Sequence, residues 1–179
     1  MIEKLQKRRS IRRYTEEAVP EEKLKTILRA GLLSPTSKNL HPWEFLVVRD
    51  KETLGKLTDC RDKGADMLKG AAMLSGAKAA ILVFADPEKT DVWTEDCAIA
   101  MSNMHLTAAD QGVGSCWIQI RNRNSRKDGM TSEAFLKELF SLEEKYAVEA
   151  ILSLGIPAQE RPPLQLDERL WEKVHFETF

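Results

Sequence analysis

Arg8, Ser10 and Arg12 stand at alternate positions in the run Lys7, Arg8, Arg9, Ser10, Ile11, Arg12, Arg13, in which five of seven residues are basic. The whole chain carries 27 Lys+Arg against 28 Asp+Glu, so setting those five aside leaves 22 basic against 28 acidic. A basic island in an acidic background is either a solvated arm or a seat for an anion, and the rigid guanidinium fork suits a phosphate especially well. Arg8 and Arg12, four apart, share a side in a helix and in a strand alike. Ser10 joins them only in extended chain, which β-branched Ile11 and Tyr14 favour. A nucleic-acid arm fits poorly, because the net charge is -1, the pI is about 6.3 and the basic cluster is isolated.

Other side chains offer little for hydrolysis. His41, His105 and His175 stand in no metal-ligand spacing such as H-E-x-x-H, and no G-x-S-x-G elbow occurs. Cys60, Cys97 and Cys116 lack metal spacing as well. Cys116 follows a glycine turn inside an apolar strand and reads as a buried, inert thiol rather than a nucleophile. Neither a G-x-G-x-x-G after a strand nor a P-loop is present. Asp96, Asn103 and Asp110 fall seven apart on one stripe of the longest expected helix, where a partly wet seam between helices is a simpler account than a ligand site. An anion seat without an obvious catalytic acid, base or nucleophile points to a cofactor that brings its own chemistry.

At 179 residues the chain reads as one domain, 1–179, with 157–179 as an extended C-terminal tail. No apolar run reaches membrane-span length and the first residues lack a signal-peptide core, so a soluble, cytoplasmic protein with reduced thiols is expected. Pro20 opens a helix with Leu24, Ile27, Leu28 and Leu32 at helical spacing, ending near Ser34-Pro35. The pattern then predicts a strand over Glu44 to Val48 and a helix capped by Asp50 that runs to about Cys60. A strand from Ala79 to Ala85, a long helix from Asp91 to Gln111 and a strand from Ser115 to Ile120 follow. A helix from about Ser132 to Phe140 and a strand from Val148 to Leu154 complete the core, while Gly64 to Lys78 gives no clear pattern. Helices and strands mix without strict alternation, so the class is α+β or mixed α/β with about four core strands. A tail this long, with little helix signal, is expected to lie along another surface, such as a partner subunit.

With these segments in view, the chain resembles the nitroreductase family of flavin-dependent oxidoreductases. The resemblance rests on Arg8-Arg9-Ser10-Ile11-Arg12; on Ser34-Pro35-Thr36-Ser37-Lys38-Asn39-Leu40-His41-Pro42-Trp43 before the Phe45 to Val48 strand; and on Gly112-Val113-Gly114-Ser115-Cys116-Trp117-Ile118. Leu154-Gly155-Ile156-Pro157 and the closing Trp171-Glu172-Lys173-Val174-His175-Phe176-Glu177 complete it, in the family's order and over nearly the whole chain.

The resemblance implies an α+β, nitroreductase-like fold with a central mixed, mainly antiparallel sheet flanked by helices. It also implies a homodimer with FMN at the interface and electron transfer from NAD(P)H through flavin N5 to a small acceptor (nitroaromatic, quinone or flavin) by a ping-pong mechanism. It matches Arg8, Arg9 and Ser10 to residues holding the phosphate and ribityl chain, and Arg12 to a basic residue near the pyrimidine edge of the flavin. Pro35, Thr36, Ser37 and Asn39 match a loop that reaches the flavin from the other subunit. Trp117, Ile118 and Gln119 match a strand whose backbone lies against the ring near N5. No side chain is expected to act as a catalytic acid or base, and no metal is expected. Family members often carry Gln where this chain has His41, and the usual C-terminal phosphate cation has three counterparts here: Arg161, Arg169 and Lys173. A flavin carrier or sensor with little turnover, or a flavin-dependent reductive dehalogenase, is the alternative reading.

Overall fold

Ala79–Ala85 is apolar and buried along its whole length, a demand that only an inner strand covered on both faces meets. The computed structural model describes residues 1–61, 74 and 76–179. In chain order it has α1 (Ile2–Lys7), α2 (Glu21–Leu32), β1 (Trp43–Val48), α3 (Lys51–Leu57), β2 (Ala79–Ala85), α4 (Trp93–Asp110), β3 (Gly114–Gln119), α5 (Ser132–Phe140) and β4 (Ala147–Gly155). The sheet order is β1-β2-β4-β3 and all strand pairs are antiparallel. Among the described residues its parallel component is a single bridge between Ser10 and Ser115, where the N-terminal arm runs beside β3.

Two apolar clusters sandwich the sheet. Ala79, Ile81 and Val83 of β2 join Leu24 and Ile27 of α2 and Ala100, Met101 and Met104 of α4. Ala80, Leu82 and Phe84, pointing the other way, join Leu54 and Leu57 of α3 and Leu136 of α5. Asp50 caps α3 by accepting from Thr53 N at 2.8 Å, and Thr131 caps α5 by accepting from Ala134 N at 3.1 Å. Helix α4 begins two residues later than the pattern predicts, because Val92 N donates to Thr90 Oγ1 at 3.3 Å in a local turn. The Gly64 to Lys78 stretch lies largely outside the described residues.

The N-terminus holds an element that the sequence pattern does not announce. Residues 2–7 form α1, which has no buried residue and leaves Ile2 and Leu5 exposed, so it carries no apolar stripe that a sequence pattern could reveal. It is nevertheless anchored: Lys4 pairs with Asp110 at 2.8 Å and Gln6 O accepts from Leu164 N at 2.8 Å. From Arg8 the chain is extended and docked rather than frayed. Ile11 N donates to Ser115 O at 2.9 Å and Thr15 N to Ile156 O at 2.8 Å.

Two glycines permit this docking. A Cβ on Gly114 would stand 2.9 Å from Ile11 Cγ2, and one on Gly155 would stand 2.5 Å from Tyr14 Cγ. The arm therefore crosses the ends of β3 and β4 at backbone contact distance. Beyond β4 the chain runs antiparallel along the N-terminal arm, with Ala158 N donating to Arg13 O at 3.0 Å. After Leu164 the tail carries only a short 3-10 segment, Glu168–Lys173, and exposes Leu166, Leu170, Trp171, Val174, Phe176 and Phe179. Among the described residues no helix is long and apolar enough to cross a membrane.

Candidate functional site

The extended arm divides the basic run between its two sides. Arg8, Ser10 and Arg12 turn toward β3 and α4, and all three act on the buried Cys116. Arg9 turns the other way, donates to Pro162 O, and lines a cleft of about 290 Å³ with Lys7, Gly112, Pro157 and Arg161. Among the described residues Arg8, Arg9 and Arg12 form no ion pair, although Lys4, on the preceding helix, is neutralised by Asp110. The positive charge of the arm is thus available to an anion.

Arg8 rests on a histidine. Its Nη1 lies 2.8 Å from His105 Nε2, and His105 Nδ1 lies 2.6 Å from Ser115 Oγ. His105 is 6% exposed on α4 and its pKa is pushed down to about 4, by burial first and by the nearby Arg8 second. Among the described residues Arg12 Nε is buried without a hydrogen-bond partner, an unsatisfied donor on the arm. Burial raises the Cys116 thiol pKa, against the opposing field of Arg12, which leaves it the inert thiol expected from its setting. Tyr14 OH donates to Ile11 O at 2.7 Å and shares a hydrogen bond with Ser153 Oγ at 2.9 Å, pinning the arm to β4; burial pushes its phenol up.

The loop after α2 is held by the central helix. Ser37 N donates to Asp96 Oδ1 at 2.9 Å, and His41 N donates to Thr36 Oγ1 at 3.0 Å. Lys38, Asn39 and His41 all have left-handed backbones, with φ of 51, 58 and 46°. Such strain in non-glycine residues persists only where surrounding contacts fix it. Pro35 and Asn39 are exposed and Thr36 and Ser37 half-buried, so the loop presents a short polar surface. The His41 ring lies 5.4 Å from that of Trp43. The polar stripe on α4 is a seam: Asp96 takes the loop, Asn103 Nδ2 donates to Ser34 Oγ at 2.8 Å, and Asp110 takes Lys4.

β3 is an edge strand, and its register sorts its residues. Because Ser115 O accepts from the arm, Ser115, Trp117 and Gln119 turn their backbone N–H and C=O away from β4, while Cys116 and Ile118 turn theirs toward it. Trp117 and Gln119 therefore offer N–H groups to the open edge. Ile118 does not; its side chain is fully buried in the cluster under α3 and α5. Trp117 Nε1 donates to Gln119 Oε1 at 2.9 Å, and Gln119 Nε2 donates to Glu149 Oε1 at 3.2 Å. Glu149 in turn pairs with Arg121 at 3.1 Å, so the free edge is braced from within the sheet.

Of the C-terminal cations, Arg161 stands in the cleft with Arg9, while Arg169 is engaged by Asp167 at 2.7 Å on the exposed tail. Lys173, also exposed, closes the 3-10 segment. Sequence reasoning set Asp96 on the polar stripe of α4 without naming the loop it holds, and it passed over His105 and Tyr14 as parts of the site. His105 had one legible signal: it shares the apolar face of α4 with Met101, Met104 and Ala108, where a buried polar group requires a partner.

The model of the nitroreductase family matches residues 5–65 and 55–156. An Archaeoglobus fulgidus protein that carries the provisional name NADH dehydrogenase/NAD(P)H nitroreductase is 35% identical over 177 residues, covering 96% of this chain and 94% of its own. A solved structure of an FMN-dependent nitroreductase from Clostridium difficile R20291 is 45% identical, with complete coverage of both chains and a TM-score of 0.90. A provisionally named nitroreductase from Desulfovibrio desulfuricans, solved in complex with FMN, is 31% identical, covers 99% of this chain and 96% of its own, and has a TM-score of 0.78. The arm, the strained loop and the braced strand edge are thus set in a shared fold, and this chain belongs to the nitroreductase family.

Proposed function

We propose that this protein is an FMN-dependent NAD(P)H oxidoreductase acting on a small acceptor, built as a single domain over 1–179 and working in the cytoplasm as a homodimer with FMN at the interface. The observation that carries this reading is the coincidence of unneutralised guanidinium groups with an open strand edge: among the described residues Arg8 and Arg12 lack ion pairs, Arg12 Nε is buried without a partner, and the outer edge of β3 beyond its bridge to the arm at Ser115 has no partner strand. Those features fit FMN, which presents a phosphate near a dianion at one end and a hydrogen-bonding ring edge at the other. Solved relatives described as FMN-dependent or FMN-bound support the choice of cofactor. When bound, FMN supplies hydride acceptance and donation at N5, from NAD(P)H to a nitroaromatic, quinone or free flavin in ping-pong order.

The chain's own residues bind and tune. Arg8 and Ser10 hold the phosphate and ribityl end, with Arg9 adding charge from the other side of the arm. Arg12 stands by the pyrimidine edge, where a fixed cation favours the electron-rich state of the ring. Trp117 and Gln119 give the ring backbone N–H donors, and Ile118 anchors the strand that carries them. Pro35, Thr36, Ser37 and Asn39 close the site from the second copy, held in shape by Asp96. The exposed apolar tail from Leu166 to Phe179 supports the dimer, since a surface of that kind needs cover.

Turnover is tested by loading the protein with FMN and following loss of NADH and NADPH absorbance with a nitroaromatic, a quinone and riboflavin as acceptors. Acceptor-dependent oxidation is expected with at least one pair. Bound flavin with no nicotinamide consumed by any acceptor would contradict the oxidoreductase reading and favour a flavin carrier.

A further inference from the structure

We propose that His105 is a positioning residue for the flavin phosphate: as the Nδ1–H tautomer it links Ser115 to Arg8 and fixes the guanidinium for the phosphate without neutralising it. The inference rests on the FMN reading above and deepens it.

The tautomer follows from donor inventory. An arginine can only donate, so His105 Nε2, 2.8 Å from Arg8 Nη1, must be the acceptor and carry no proton. The ring proton then sits on Nδ1 and is donated to Ser115 Oγ at 2.6 Å. A protonated ring would lose the acceptor and repel Arg8, and burial beside Arg8 keeps the ring neutral. The anchor at the far end is rigid. Ser115 belongs to β3, its carbonyl accepts from Ile11 N at 2.9 Å, and its neighbour across the bridge is Ser10. One residue of the sheet thus sets both the backbone of the arm and, through His105, the direction of the Arg8 side chain.

The choice of a neutral partner is the informative part. Five residues along α4, Asp110 takes Lys4 at 2.8 Å, and across the sheet Glu149 takes Arg121 at 3.1 Å. A carboxylate at position 105 would dock Arg8 just as firmly, but it would cancel the charge on which an incoming phosphate depends. An imidazole accepts one N–H, holds the long side chain in a single rotamer, and leaves the rest of the fork without a protein acceptor among the described residues. Preordering a flexible arginine in this way removes part of the entropy otherwise lost on binding.

The test compares two ligands that differ only in the phosphate. FMN and riboflavin are titrated against the wild-type chain and the variants His105→Leu, His105→Gln and Ser115→Ala, with flavin fluorescence as the readout. His105→Leu keeps apolar bulk and removes both polar atoms; it is expected to lower the FMN-over-riboflavin preference by roughly five- to twenty-fold. His105→Gln offers an amide oxygen to Arg8 and an amide N–H to Ser115, and is expected to restore most of that preference. If His105→Leu does not fold, Ser115→Ala removes the acceptor of Nδ1–H while leaving the helix intact, and a loss of preference in the same direction is expected. Introduced into Arg8→Ala, His105→Leu should change the preference no further. An unchanged preference, or equal weakening of both flavins, would overturn the inference and leave His105 a packing residue, with the FMN reading intact. A wild-type chain that binds neither flavin would overturn the FMN reading itself and this inference with it.

Discussion

Lys4 and Arg8 lie one helical turn apart and end in different electrostatic states, one paired with a carboxylate and the other resting on a neutral imidazole. The difference has a consequence for stability. His105 titrates near 6.5 in an unfolded chain and is held near 4 in the fold. Between those values the unfolded chain takes up a proton that the folded chain refuses. The stability from neutral His105 is therefore complete above about pH 6.5 and lost as pH falls toward 4, on the order of 3 kcal/mol in all. Melting temperatures of wild type and His105→Gln, measured from about pH 7 to about pH 4.5, should show the wild type falling more steeply. Parallel curves would contradict a strongly depressed His105. At this scale the sequence revealed the charged half of the site and concealed the neutral half. Arg8 and Arg12 stand out against an acidic chain, whereas His105 and Asp96 show their roles only once α4 is packed against β3 and the loop at Ser37.

The elements that carry these residues were legible where they bury a periodic face. β2, α5 and β1 lie close to where the apolar pattern places them, because each sits against the sheet core. α1 was not legible, since nothing in it is buried, and the start of α4 was shifted by a Thr90 turn that no periodicity records. The docking of the arm was hidden too, because it depends on the absence of side chains at Gly114 and Gly155 rather than on any residue pattern. That dependence can be measured. Gly155→Ala places a methyl group 2.5 Å from the Tyr14 ring and should destabilise the protein by about 1 to 3 kcal/mol through overpacking, read as a lower melting temperature. A variant that melts with the wild type would show that the arm does not need this close approach.

Over the whole molecule, two clusters on either side of a four-stranded sheet account for the core, and the apolar residues left over are concentrated in the tail. Trp171 is 58% and Phe176 78% exposed in the single chain, an arrangement that a second copy would relieve. The sequence suggested as much through a long tail with little helix signal, although the tail alone does not define its partner surface. Removing residues 165–179 should convert a dimer to a monomer in sedimentation or size-exclusion experiments. A truncated chain that remains dimeric, or a full chain that is monomeric, would place the interface elsewhere. The central claim concerns the guest of the basic arm, and equilibrium titration of the purified chain with FMN tests it most directly. The account predicts saturation at one FMN per chain, with Arg8→Ala weakening the affinity by about 1.5 to 3 kcal/mol. A chain that takes up no FMN, or an Arg8→Ala variant that binds it as tightly as the wild type, would contradict it.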